Sequence, residues 1–136
     1  MPGASVRLSG GAGNGAYMRV MVVDDAMFMR QMYRKIFERN GITLAGEAAN
    51  GFEAIAAYQE FRPDVVIMDI TMPSMPGIEA LAEIIRIDPK AKVVMASAMG
   101  QEEFVRNSIA KGAKAFVVKP VVESILLSTL ERVMNQ

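Results

Sequence analysis

The 136-residue chain places polar side chains directly after short apolar runs. Asp24 and Asp25 follow "MRVMVV", and Asp69 ends "DVVIMD". Ser97 ends "AKVVMAS", and Lys119 ends "AFVVK". Carboxylate, hydroxyl and ammonium groups can bind a metal ion or a phosphoryl group, so these positions are candidates for chemistry if the fold brings them together.

Three carboxylates at one place would repel one another. Two full charges about 5 Å apart cost on the order of 3 kcal/mol at an effective dielectric of 20. Lys119 can offset part of this cost, and a divalent cation can offset more. The sequence has no His and no Cys, and ligand sets made only of oxygen favour Mg²⁺. We therefore expect Asp24 and Asp25 to hold Mg²⁺.

A cation, a carboxylate and a lysine in one site suit phosphoryl transfer, which depends mostly on positioning and charge neutralisation. Asp69 would be the nucleophile and form an aspartyl phosphate. Lys119 would pair with the phosphoryl oxygens, and the Ser97 hydroxyl could donate a hydrogen bond to one of them. The Lys119–Pro120 bond is a candidate cis peptide. Because the sequence lacks His, we expect the phosphodonor to be another molecule.

Each polar residue also has a simpler interpretation. Asp25 could cap the helix that follows it, Asp69 could be an ordinary loop aspartate, and Lys119 could be solvated. These interpretations do not explain why all the residues would gather at one edge of a sheet. Their convergence favours a functional site.

Strands and helices alternate strictly along the chain. The pattern predicts strands at 18–23, 42–48, 64–69, 91–97 and 115–119, and helices at 25–40, 50–61, 77–87, 101–112 and 122–134. Apolar strands that alternate with helices indicate an α/β fold in which helices cover both faces of a parallel sheet. Ten elements fit the doubly wound, flavodoxin-like arrangement with strand order 2-1-3-4-5. In that order, the carboxyl ends of the strands form the ligand-binding edge.

The first predicted helix carries its apolar residues at helical spacing. Phe28, Met32, Tyr33, Ile36 and Phe37 are predicted to face the core, and Gly41 is predicted to end the helix.

The length of 136 residues indicates a single domain. The formal net charge is zero, which gives no reason to expect nucleic acid or anionic lipid as a partner. No apolar run reaches the roughly 20 residues that span a bilayer, and the absence of Cys excludes disulfides. Residues 1–17 are rich in Gly, Ala and Ser, which predicts a flexible N-terminal arm before a domain at 18–136.

Four segments carry a resemblance to a known family: "VVDD" (22–25), "MDITMPSMPG" (68–77), "ASAMG" (96–100) and "FVVKP" (116–120). In this order and spacing, the chain from Met18 onward resembles the receiver domain of two-component response regulators. The stretches "MDITMP" and "SAMGQ" resemble the single-domain chemotaxis members of that family.

The resemblance implies that Asp69 accepts a phosphoryl group from a histidine kinase. It implies that Mg²⁺ is bound by Asp25, Asp69 and the backbone carbonyl of Thr71, with Asp24 helping through water. Ser97 and Lys119 would contact the phosphoryl group.

The resemblance also implies a switch. Ser97 and Phe116 would move together on phosphorylation and reshape the face made by the fourth helix, the fifth strand and the fifth helix. Without the family, Phe116 would be interpreted as a core residue. Thr71 and Met99 occupy positions that influence access of water to the phosphoryl group in the family. Neither is a carboxylate or an amide here, which leaves the phosphoryl lifetime open and makes a separate phosphatase plausible.

These features predict a cytoplasmic, monomeric signalling protein that is not an enzyme, apart from catalysing its own phosphorylation and slow dephosphorylation. Its target would be a protein such as a flagellar-motor switch component, because no output domain follows the last helix. Three alternatives stay open: a phosphatase that works through an aspartyl phosphate, a flavodoxin-like electron carrier, and a receiver-like module that is never phosphorylated. The phosphatase is disfavoured by Thr71, because such enzymes commonly carry a second Asp at that position. The electron carrier is disfavoured by Asp24 and Asp25, which would repel a flavin phosphate.

Overall fold

The computed structural model describes residues 18–136, and the predicted arm at 1–17 lies outside the described residues. The strands are β1 (Arg19–Val23), β2 (Thr43–Ala48), β3 (Val65–Asp69), β4 (Val93–Ser97) and β5 (Ala115–Val118). The helices are α1 (Met27–Arg39), α2 (Gly51–Phe61), α3 (Gly77–Ile87), α4 (Glu102–Ala110) and α5 (Glu123–Met134). The ten predicted elements are confirmed, and their ends differ from the prediction by two residues at most.

The strands form one sheet in the order β2-β1-β3-β4-β5, and each neighbouring pair is parallel. The predicted strand order is therefore confirmed. All residues of β3 and β4 are buried, as expected for central strands that are covered on both faces. The winding reverses between β1 and β3, so the carboxyl ends of these two strands define the switch point.

Alternation along the strands divides the core into two layers. Val20 and Val22 of β1 pack on the side of α1 and α5. Met21 and Val23 pack on the opposite side, with α2 and α3. Helix α4 contributes little to either layer, because Ser108 is its one buried residue.

The predicted apolar face of α1 is wrong at one position. Phe28 is 71% exposed, and Met29 is buried in its place together with Tyr33, Ile36 and Phe37. Both sets of residues repeat at helical spacing, so periodicity alone could not choose between them. The packed face includes Met29 because this side of the helix contacts β1 and β2 and joins the core layer that contains Val20 and Val22.

The ends of α1 also refine the prediction. Asp25 does not cap the helix, because Ala26 is the capping residue and has no side-chain capping bond. Asp24 is the residue that contributes there, since its Oδ1 accepts a hydrogen bond from the Ala26 N–H at 2.9 Å. The helix ends before Gly41, whose φ of 68° lies in the left-handed region that glycine adopts easily.

Among residues 18–136, no helix is long and apolar enough to cross a membrane.

Candidate functional site

Three carboxylates meet at the switch point. Asp24 and Asp25 follow β1, and Asp69 is the last residue of its neighbour β3. Each offers one carboxylate oxygen, and these oxygens lie within 4.8 Å of one another. Asp24 and Asp69 are buried, while Asp25 is exposed. One member of the cluster therefore faces solvent, which leaves a route by which an ion could enter.

The Lys119 ammonium group lies among these carboxylates. Its Nζ is 2.8 Å from Asp24 Oδ2 and 3.4 Å from Asp69 Oδ1. The expected pairing of Lys119 with the acidic cluster is thus present. The Lys119–Pro120 peptide bond is cis.

Burial raises the pKa of the Asp69 carboxyl above its usual range. The positive charge of Lys119 acts in the opposite direction, and the negative charge of Asp24 adds to the rise. Hydrogen bonds from Lys119 and from the Thr71 backbone N–H favour the charged form but do not reverse the shift. Burial therefore disfavours the charged form of this carboxylate, and a bound cation would stabilise that form.

Ser97 lies buried at the end of β4, beside this cluster in the sheet. Its carbonyl accepts a hydrogen bond from the Lys119 backbone N–H at 2.9 Å, which fixes the end of β5 to the end of β4. Its Oγ accepts a hydrogen bond from the Met99 backbone N–H at 3.0 Å. The hydroxyl can still donate to another acceptor. Met99 itself is 44% exposed on the loop that begins there.

Phe116 is half-buried in β5 and packs against the core layer on the side of α2 and α3. The fold thus gives Phe116 the core contacts that its residue type alone predicts, on the strand that leads to Lys119. Its role as a switch stays a prediction.

The loop after β3 is held closely against Asp69. Ile70 and Met72 bury their side chains, and the Gly77 N–H donates to the Ile70 carbonyl at 2.7 Å. A Cβ at position 77 would lie 2.0 Å from the Asp69 carbonyl oxygen. Only glycine allows the start of α3 to approach the site so closely. Thr71 is exposed within this loop.

Arg30 was missed by sequence reasoning. Its Nη1 donates to the Asp24 backbone carbonyl at 2.6 Å, and its Nε donates to Glu47 Oε1 of β2 at 3.0 Å. An arginine one turn into a helix has no distinctive signal. Only the spacing of Arg30 from Asp24, on the side of α1 that faces β2, could have suggested its contact with the Asp24 carbonyl.

The donor set fits a hard divalent cation. Three carboxylates converge with no nitrogen or sulfur ligand among them, and one is open to water. Such a set suits Mg²⁺, which keeps several of its waters and binds one or two carboxylates.

Comparison with known proteins identifies the family. The model of the response regulator receiver domain matches residues 20–131. The chain therefore belongs to the response regulator receiver family, as its motifs suggested.

Individual relatives show which members of the receiver family the chain is similar to. The chain is 51% identical to the chemotaxis protein CheY of Thermotoga maritima, over 85% of this chain and 96% of that protein. It is 52% identical to the protein CcdB of Bacillus subtilis, over 86% of this chain and 98% of that protein. Among solved structures, the CheX–CheY–BeF₃–Mg²⁺ complex of Borrelia burgdorferi matches with a TM-score of 0.87 and 36% identity, over 94% of this chain and 100% of that one. The chain is thus a CheY-like receiver.

Proposed function

We propose that the chain is a response regulator that is activated by phosphorylation of Asp69. The observation that carries this proposal is the position of the Asp69 carboxylate, which lies within reach of Asp24, Asp25 and the Lys119 ammonium group at the end of β3. A nucleophile beside a cation-binding cluster and a fixed positive charge is the minimum set for phosphoryl transfer.

Mg²⁺ is the expected cofactor, held by Asp25, Asp69 and the Thr71 carbonyl, with Asp24 acting through water. Bound there, it would neutralise charge on the transferring phosphoryl group. The presence of both BeF₃ and Mg²⁺ in the similar Borrelia complex supports this assignment. Lys119 would then contact a phosphoryl oxygen, and the Ser97 hydroxyl would donate to another.

The phosphodonor is proposed to be a histidine kinase. The sequence has no His, so a phosphohistidine must come from another protein. An Asp69 oxygen would attack phosphorus, the P–N bond would break, and the imidazole would leave. The chain would catalyse its own phosphorylation and the slow hydrolysis of the resulting aspartyl phosphate, and no other reaction. Thr71 and Met99 would set how water reaches the phosphoryl group, and a separate phosphatase could shorten its lifetime.

The output surface is proposed to be the face made by α4, β5 and α5. An apolar groove of about 240 Å³ lies there, lined by residues of β5, of α5 and of the loop between them, Phe116 included. Val118, Val122 and Ile125 are each more than half exposed, so the groove is accessible to a partner. Phosphorylation adds between about 1.5 and 2 negative charges. Contacts of Lys119 and Ser97 with the new group would shift Phe116 and the shape of this face.

Chemotaxis is the proposed pathway, because relatives named as chemotaxis proteins match nearly the whole described chain. The target would be a protein of the flagellar-motor switch type, and the chain would act as a cytoplasmic monomer. The similarity to CcdB of Bacillus subtilis keeps a different pathway as the second candidate.

Incubation with acetyl phosphate and Mg²⁺, followed by intact-mass measurement, tests the reaction. The wild-type chain should gain the mass of one phosphoryl group, and Asp69→Ala should not. Asp64→Ala is a matched control, because Asp64 lies at the amino-terminal end of β3, whereas Asp69 lies at its carboxyl end. Equal labelling of Asp69→Ala and the wild type would contradict the assignment. Pull-downs with and without beryllofluoride would then identify the partners.

A further inference from the structure

Arg30 connects two elements beside the carboxylate cluster. The planar guanidinium donates from Nη1 to the Asp24 carbonyl and from Nε to Glu47 of β2, at 2.6 and 3.0 Å. The Arg30 side chain is 16% exposed and that of Glu47 is 28% exposed, so water competes weakly for these bonds. A second arginine, Arg34, pairs with the other oxygen of Glu47, and its side chain is 50% exposed.

The accepting carbonyl belongs to the peptide unit that joins Asp24 to Asp25. The orientation of this carbonyl fixes the plane of that unit. The other side of Asp24 is fixed as well, because its N–H donates to the Ala48 carbonyl at 3.0 Å. The direction in which Asp25 leaves β1 is therefore set by Arg30. A second hydrogen bond, from the Ala26 N–H to Asp24 Oδ1, spans Asp25 but leaves the Asp24 carbonyl to Arg30, and the Asp25 side chain itself is exposed.

Arg30 also carries a positive charge next to a site that must bind a cation. By charge alone, its removal should strengthen metal binding, because repulsion between like charges weakens it. By geometry, its removal should weaken metal binding, because Mg²⁺ demands a near-ideal arrangement of ligands. The two effects have opposite signs, so a single measurement separates them.

We propose that Arg30, braced by Glu47, is a positioning residue that orients the Asp24–Asp25 peptide and thereby sets the affinity of the carboxylate cluster for Mg²⁺. The proposal rests on the proposed function for the identity of the metal site, and it adds a residue that touches neither the metal nor the phosphoryl group. Substitutions of residues that orient metal ligands commonly reduce affinity by about 10- to 100-fold. Since Arg30 acts through the backbone, we expect a loss near the lower limit, about tenfold.

The test is calorimetric titration of the full chain with Mg²⁺ alone, without a phosphodonor. Arg30→Met should raise the dissociation constant about tenfold. Arg34→Met is the matched control, because it removes a cation from the same carboxylate of Glu47 but no hydrogen bond to Asp24. It should leave the affinity within about twofold of wild type, an expectation that follows from the weak effect of exposed ion pairs. Arg30→Lys keeps the charge but loses the rigid fork, so it should weaken binding as well.

Other results of the same titrations would contradict the positioning role of Arg30. Tighter Mg²⁺ binding by Arg30→Met would show that the charge of Arg30 outweighs any orienting effect, and unchanged binding would show that Arg30 has no orienting effect of the proposed size. Wild-type affinity in Arg30→Lys would show that binding does not depend on the rigid fork, which also contradicts the positioning role. Urea unfolding of each variant, together with the backbone amide resonance of Asp25, distinguishes a local change from general loss of structure: the resonance should move in Arg30→Met and not in Arg34→Met.

The design separates this role from the proposed function. If the wild-type chain itself fails to bind Mg²⁺, the proposed function is contradicted and the role falls with it. If the wild type binds and Arg30→Met binds equally well, only the positioning role is contradicted.

Discussion

Replacement of Gly77 by Ala tests how the loop after β3 supports the phosphorylation site. The new Cβ would lie 2.0 Å from the Asp69 carbonyl oxygen, whereas real Cβ atoms essentially never approach a heavy atom within 3.0 Å. The obstructing atom belongs to the backbone of Asp69 itself, so no side chain can rotate away. Either the start of α3 or the end of β3 must move by about 1 Å, the difference between these two distances.

Two opposing effects determine the change in stability. Overpacking of this kind costs about 1–3 kcal/mol. The higher helix propensity of Ala returns at most about 1 kcal/mol, and less at the first residue of a helix. The free energy of unfolding should therefore fall by about 1–2 kcal/mol. A misplacement of about 1 Å at a reacting group can cost up to a hundredfold in rate, and we expect a slower phosphorylation of Asp69 by at least tenfold.

Gly51→Ala is the matched control. Gly51 is likewise the first residue of its helix, but the nearest atoms to a Cβ there would belong to the Met75 side chain, at 2.8 Å, and none of them to Asp69. Urea unfolding and the initial rate of labelling by acetyl phosphate should be measured for both variants. If Gly77→Ala matches Gly51→Ala in both measurements, the close approach of α3 to Asp69 has no consequence and the reasoning is refuted.

Three further substitutions probe the charges and the buried polar groups. Asp69→Asn should raise the free energy of unfolding at neutral pH. Burial raises the pKa of the Asp69 carboxyl in the folded chain, so the folded protein binds that proton more tightly than the unfolded protein does. The wild type therefore loses stability as the pH rises through this pKa, and the variant does not. The gain should vanish below the ordinary pKa of aspartate, and urea unfolding across acidic and neutral pH checks this. Lys119→Met should lower the free energy of unfolding by about 3 kcal/mol, the lower end of the cost of breaking a buried ion pair, because it leaves the buried Asp24 without its cation. Added Mg²⁺ should restore part of the loss, and no response to Mg²⁺ would count against metal binding at these carboxylates. Tyr33→Phe should raise the free energy of unfolding by about 1 kcal/mol, because the buried Tyr33 hydroxyl has no hydrogen-bond partner, and a lower thermal midpoint would show that the hydroxyl is satisfied in solution.

The strand order and the position of the carboxylates could be predicted because both depend on local patterns. Apolar runs that end in Asp24, Asp69 or Ser97 identify strands and their carboxyl ends together. Once the sheet is parallel, its topology brings those ends to one edge. The phase of an amphipathic helix is less determined, which is why Phe28 was assigned to the core in place of Met29.

The supporting contacts of the site could not be predicted for a different reason. Arg30 reaches Asp24 through a backbone carbonyl, and carbonyls are common to all residues and leave no trace in a sequence. The restriction at Gly77 depends on the distance between α3 and the end of β3, which periodicity does not encode. Asp25 has no capping role because Ala26, one residue later, occupies the N-cap position of α1.

The shallow attachment of α4 has a consequence for the dynamics of the domain. Of its nine residues, only Ser108 is buried, whereas α1 and α5 each anchor several apolar side chains. Segments with few buried apolar contacts open at low free energy without unfolding of the rest. The amides of α4 should therefore exchange with solvent deuterium well before those of α1 or α5. The helix next to the candidate output groove is the part of the domain that can be rearranged at the least energetic cost.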